Sequence, residues 1–155
     1  MVDVSSISAV VAAVGVIIGV VFTIIELKNL TKTRQTDMVI RLYSTFGSKE
    51  FQKEWTRILN VEYKGYNDFV KKEGVVAPEA GLFFEGVGVL LHRKLLDIGL
   101  IDDLFSGPIK MAWEKFKPIV EDARKQLGQP QYAEWVEYLY NEIKKREQKL
   151  QQIQQ

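Results

Sequence analysis

Twenty-two consecutive residues at the start of the chain, Val4 to Ile25, carry no charged side chain, and Asp3 and Glu26 bracket them. As a helix, such a run extends about 33 Å at ~1.5 Å per residue. The hydrocarbon core of a bilayer is about 30 Å thick. Thirteen of the 22 are Val, Ile or Phe. At about 0.4 kcal/mol each near mid-membrane, these favour insertion by about 5 kcal/mol before Ser and Gly are discounted. A cleaved signal peptide has a basic leader and a shorter apolar stretch. Here the leader holds Asp3 and no Lys or Arg. A core helix is the other rival, but so long an uncharged run exceeds what a small domain usually encloses. The reading is a retained transmembrane span over residues 1–26.

The flanks orient it. Residues 27–36 contain Lys28, Lys32 and Arg34 and no acid, while no Lys or Arg precedes the span. Positive residues favour the cytoplasmic side. This predicts a single-pass protein of the cell (inner) membrane, with its amino terminus outside and residues 27–155 in the cytoplasm. The three cations would lie at the membrane surface, each contributing about 1 kcal/mol against anionic lipid. Within the span, Gly15, Val16, Gly19, Val20 and Thr23 share one helix face. Small residues four apart let two membrane helices approach closely, with the valines forming a ridge beside them. The expected partners are therefore the bilayer and another membrane protein, or a second copy, packed on this face.

Beyond the span, Leu27, Leu30, Met38, Leu42 and Phe46 recur near helical spacing, with no Gly or Pro before Gly47. This predicts a juxtamembrane helix over 27–47 continuing the span. Gly47-Ser48 reads as a stop and an N-cap, opening a short helix to about Asn60. Residues 61–77 read as a loop enclosing one turn near Asp68 to Glu73. Pro78 suits a first helical position, and the apolar run after it predicts the central helix of the domain, closed by Gly99. Asp102 or Asp103 would then cap a turn holding Leu104 and Phe105. Gly107-Pro108 would open a helix kinked at Pro118 and ended by Gly128, and Pro130 would start the last. The pattern has no strand alternation and no repeat. The fold class is all-α, with an N-terminal transmembrane helix continuing into a compact cytoplasmic bundle of about four helices. A helical soluble domain would cover 48–143 and a polar tail 144–155.

Composition narrows the chemistry. Lys and Arg number 21 against 20 Asp and Glu, giving a net charge of +1, so no global field draws nucleic acid. The absence of cysteine excludes disulfides and thiolate chemistry. The single histidine, His92, has no ligating residue three or four positions away, which reads as a structural histidine at a helix edge. Gly81, Gly86 and Gly88 lack the spacing of a phosphate loop and read as places of close helix crossing. Glu85, within Phe83-Phe84-Glu85-Gly86-Val87, lies in the most apolar stretch outside the span. A buried carboxylate needs a partner, and Arg124 is the candidate for a buried ion pair that fixes helix packing, with Arg93 and Lys115 as other choices. No nucleophile–base pair is visible, and no cofactor or metal site is expected.

Phe84-Glu85-x-x-Gly88, Gly99-Leu100-Ile101-Asp102, Phe105, Ile109, Trp113-Glu114-x-x-Lys117-Pro118 and Arg124 carry a resemblance over roughly residues 5–125. The chain resembles an uncharacterised family of small prokaryotic single-span membrane proteins, a domain of unknown function with a cytoplasmic helical part. The resemblance implies the architecture and no reaction, ligand or cofactor. The functional expectation is a non-catalytic, membrane-anchored interaction protein or an accessory subunit of a membrane complex. The alternative is a membrane-tethered sensor or effector whose helical domain binds a small ligand.

Overall fold

The computed structural model describes residues 4–74 and 78–153, with side chains from residue 11 onward. Asp3, residues 75–77 and the last two residues of the tail lie outside that set. Every described element is a helix: α1 (Val4–Phe46), α2 (Lys49–Asn60), α3 (Tyr66–Glu73), α4 (Glu79–His92), α5 (Ile98–Leu127) and α6 (Glu134–Ile153). The chain divides into two units, Met1–Met38 and Val39–Gln155.

The described residues of the first unit all belong to α1, up to Met38. Every side chain from Val11 to Arg34 is exposed. Within α1 lies a stretch of mean hydropathy 2.2 with none of it buried, long and apolar enough to cross a membrane.

The second unit is a helical bundle. It begins with the last residues of α1, where Val39 is buried and Phe46 meets the rings of Phe51, Trp55, Phe83, Phe84 and Phe105 at centroid distances of 5.2–6.4 Å. Ser48 caps α2, accepting from the Phe51 N–H at 3.2 Å, and Phe51, Trp55 and Ile58 form its buried stripe. α4 packs on α6 and α2, and α5 packs on α6 and α3. Phe84, Val87, Ile101, Phe105, Ile109, Leu139 and Ile143 are at most 1% exposed and fill the centre.

The elements depart from the expected boundaries in three places. First, Gly99 does not close α4, which ends at His92. Lys94 takes the left-handed conformation there, at φ 58°. Its N–H bonds the Leu91 carbonyl and that of Leu95 the Leu90 carbonyl, the two bonds of a Schellman terminus. A lysine does what a sequence reading looks for in a glycine. Second, Asp102, Asp103 and Gly107-Pro108 neither cap nor open a helix, because α5 is a single element of 30 residues that contains both Pro108 and Pro118. The cap is Asp97, accepting from Gly99 and Leu100 at 2.8 and 3.3 Å. Ile101, Phe105, Ile109, Ala112 and Trp113 are buried continuously across Pro108. That burial offsets the missing N–H and the ring clash, a penalty of ~3 kcal/mol. Gly128 ends α5 as expected, at φ 65°. Third, Pro130 does not start α6. Residues 129–133 make turns, with the Tyr132 N–H on Gln129 and the Glu134 N–H on Gln131.

The expected turn at 68–73 is the longer α3, and α6 runs through most of the polar tail to Ile153. Its cations are largely partnered: Arg146 binds Asp102 at 2.9 Å, and Lys145 binds Glu142 at 2.7 Å.

Candidate functional site

The exposed face of α1 is the first feature. Gly15 and Gly19 stand free: a Cβ added at either would meet nothing within 4 Å. The Thr23 hydroxyl donates to the Gly19 carbonyl at 2.8 Å. Its hydrogen-bonding capacity is thereby met inside the helix, and the face carries no unmet polar demand into an apolar medium. Val16 and Val20 are exposed beside the glycines. Lys28, Lys32 and Arg34 are exposed further along and make no ion pair among the described residues.

The second feature is the joint between α4, α5 and α6. Sequence logic pairs Glu85 with Arg124; the structure gives each a different partner. Glu85 Oε1 accepts from the Val136 N–H at 3.0 Å, in the first turn of α6. The residue before that helix, Ala133, has no side-chain acceptor and sits at φ 55°. Helix α6 therefore cannot cap itself, and a carboxylate from α4 does it instead, favourably placed against the helix dipole. Arg124 donates from Nε to the Tyr132 carbonyl at 2.9 Å and pairs with Glu137 at 2.8 Å. Glu85 thus holds the first turn of α6, and Arg124 holds both the α5–α6 connection at Tyr132 and α6 at Glu137. The expected Glu85–Arg124 ion pair is not formed. A backbone N–H near a helix start is an acceptor's target as good as a guanidinium, and no sequence pattern distinguishes them. Burial pushes the Glu85 carboxyl above the ordinary carboxylate range, while the Val136 and Trp135 backbone N–H groups pull it down.

Gly88 completes the joint. A Cβ there would overlap the Trp135 carbonyl oxygen and lie 2.9 Å from the Trp135 Cβ. The α4 and α6 backbones touch at this point, the close crossing expected of the glycines. Gly81 and Gly86 have nothing within 4 Å and play no such part. His92 is exposed and packs its ring on Trp135 and Tyr138, at 4.7 and 5.4 Å between centroids, a helix-edge position.

Beside this joint lies a cavity of about 230 Å³. Trp55, Phe69, Phe84, Trp113, Phe116 and Tyr132 supply its aromatic wall, and Glu85 is its one charged lining residue. Sequence reading missed it, because its lining residues fall at the same helical periodicity as the core and nothing local marks a place left unfilled. Two further links escaped notice. Glu73 accepts from Arg57 at 2.5 and 3.0 Å and from the Tyr63 hydroxyl at 2.6 Å, tying α3 to α2. Asp122 accepts from the Tyr66 N–H at 2.8 Å, holding the start of α3 on α5. Among the described residues no three His, Asp or Glu side chains converge to hold a metal ion.

No curated protein and no solved structure matches the chain. A family model does, over residues 9–143, a stretch that contains the glycine face of α1, the Glu85–Gly88 segment and Arg124. The chain belongs to the family of the domain of unknown function DUF4760.

Proposed function

We propose that the protein is a non-catalytic, single-pass membrane-anchored interaction protein or accessory subunit, with α1 in the cell membrane and the bundle in the cytoplasm. The observation that carries this reading is the fully exposed apolar length of α1: every residue from Val11 to Ile25 is exposed. In water that surface is costly at ~25 cal/mol per Å²; in lipid it is not. Lys28, Lys32 and Arg34 favour the cytoplasmic side for the bundle. The open face at Gly15 and Gly19 favours packing on another helix or on a second copy.

The absence of native cysteine makes the topology test clean. Single cysteines replacing Val2, ahead of the uncharged run, and Lys149 are treated in intact cells with a membrane-impermeant maleimide. The reading requires labelling at position 2 and none at 149 until the membrane is opened. The reverse pattern refutes the orientation, and labelling of both in washed, membrane-free extract refutes the anchor. Co-purification of a second membrane protein, or of a tagged second copy, in mild detergent tests the interaction role. A strictly monomeric particle refutes it.

The cavity supports a second reading, a membrane-tethered sensor or effector whose bundle binds a small ligand.

A further inference from the structure

The cavity has a shape, a lining and a sign, and together these define a ligand class. At about 230 Å³ it exceeds the ~150 Å³ of an apolar cavity that takes up benzene. A single ring with a two- or three-atom arm fits that volume. Six aromatic residues line it among aliphatic ones such as Leu82, Ile119 and Val120, and ring faces attract cations. Among the lining residues no Lys, Arg or His offers a counter-charge to an anion. The one charge is the Glu85 carboxylate. It is not cancelled by an ion pair among the described residues, since Arg124, the nearby guanidinium, is committed to the Tyr132 carbonyl and Glu137. The two backbone N–H groups at the start of α6 leave lone pairs to spare on a carboxylate that has about four.

We infer that this cavity is a binding site for a small aromatic or alicyclic primary amine, its ring held among the aromatic side chains and its ammonium on the Glu85 carboxylate. The inference rests on the ligand-binding reading above and adds the chemical class. A fatty acid or phosphate ester is excluded by charge: it would bring an anion against Glu85 with no cation to meet it.

The test uses the full chain in mild detergent and three probes of one shape: 2-phenylethylamine, 2-phenylethanol and 3-phenylpropionate. Trp55 and Trp113 line the cavity, so occupancy is read as a saturable change in tryptophan fluorescence. The expected result is saturable binding of the amine at least tenfold tighter than of the alcohol, with none of the carboxylate. Glu85→Gln keeps an acceptor for the Val136 N–H and removes the charge. It should weaken the amine at least tenfold and the alcohol far less, so that the preference for the amine is lost. Ala112→Phe, which fills the cavity, should abolish all binding. Equal affinity for amine and alcohol overturns the amine assignment while leaving a ligand site in place. No saturable binding of any probe, or amine binding untouched by Ala112→Phe, overturns the site itself. Because the probe comparison is made on the unaltered protein, a variant that fails to fold does not remove the test.

Discussion

Alanine at Gly88 and alanine at Gly86, two residues apart on α4, should move stability in opposite directions. The Gly88 Cβ would stand 2.7 Å from the Trp135 carbonyl carbon and 2.9 Å from its Cβ. Carbon atoms are comfortable at about 3.5–4.0 Å, so α6 must retreat from α4 by about 1 Å. The atoms in the way are backbone and the root of a side chain, which cannot swing aside. Overpacking of this kind costs about 1–3 kcal/mol. Gly86 is exposed and its new Cβ meets nothing within 4 Å. Both substitutions gain about 1 kcal/mol of helix propensity, which cancels in the comparison.

The difference between the variants is therefore the overpacking cost alone, about 2 kcal/mol, or about 8 °C in Tm at roughly 4 °C per kcal/mol for a unit of this size. Trp55, Trp113 and Trp135, the three tryptophans of the chain, all lie in the second unit. Fluorescence-detected melting in detergent follows the bundle without interference from α1. Gly86→Ala should melt above the parent and Gly88→Ala below Gly86→Ala by about 8 °C. Equal melting temperatures would refute the backbone-to-backbone crossing.

Four further outcomes follow from the same geometry. Lys94→Gly should stabilise the bundle by about 1 kcal/mol, because Lys94 occupies a left-handed position that penalises a side chain; a loss of stability in urea denaturation would contradict the Schellman terminus. Glu85→Ala should cost about 2 kcal/mol by leaving the Val136 N–H unpartnered, and Glu85→Gln under about 1; equal losses would show that charge, not acceptance, holds α6. The hydrogen bonds from Arg57 and Tyr63 hold the Glu73 carboxyl below the ordinary carboxylate range, against the pull of burial. A depressed carboxylate pKa stabilises the fold above the unfolded-state value of about 4.3 and ceases to as pH falls through the folded value. Glu73→Gln should therefore narrow the stability difference between neutral and acidic pH, and a chemical-denaturation profile parallel to the parent's would refute the link. Gly19→Ile should lower self-association of the full chain at least tenfold in micelle dilution measured by energy transfer; an unchanged dilution midpoint would remove Gly19 from the packing face.

Helix content was legible because it rests on local rules. The 22-residue uncharged run, the Ser48 cap and the Gly128 stop each act within one or two turns. Where reading failed, a tertiary term overrode the local one. Pro108 signals a helix start, yet the buried stripe from Ile101 to Trp113 carries α5 through it. Lys94 signals nothing, yet α4 turns there because Leu90 and Leu91 need donors for their carbonyls. In both cases the penalty is within what a few buried side chains supply, so the punctuation in the sequence is real and outvoted.

The joint around Glu85 was half legible for a related reason. An acid in an apolar stretch must find a donor, and that demand can be read from residues 83–87. The identity of the donor cannot, because it depends on which helix end arrives beside it. Helix α6 arrives there because Gly88 lets it approach, and it arrives with an uncapped first turn because Ala133 precedes it. The deficit on α6 and the surplus on α4 cancel each other. The same meeting places the Glu85 carboxylate among the lining residues of the cavity, so the group that completes the packing of α6 is also the group that gives the cavity its sign. Substituting it should disturb both, and the glutamine variant, which preserves acceptance and removes charge, separates one role from the other.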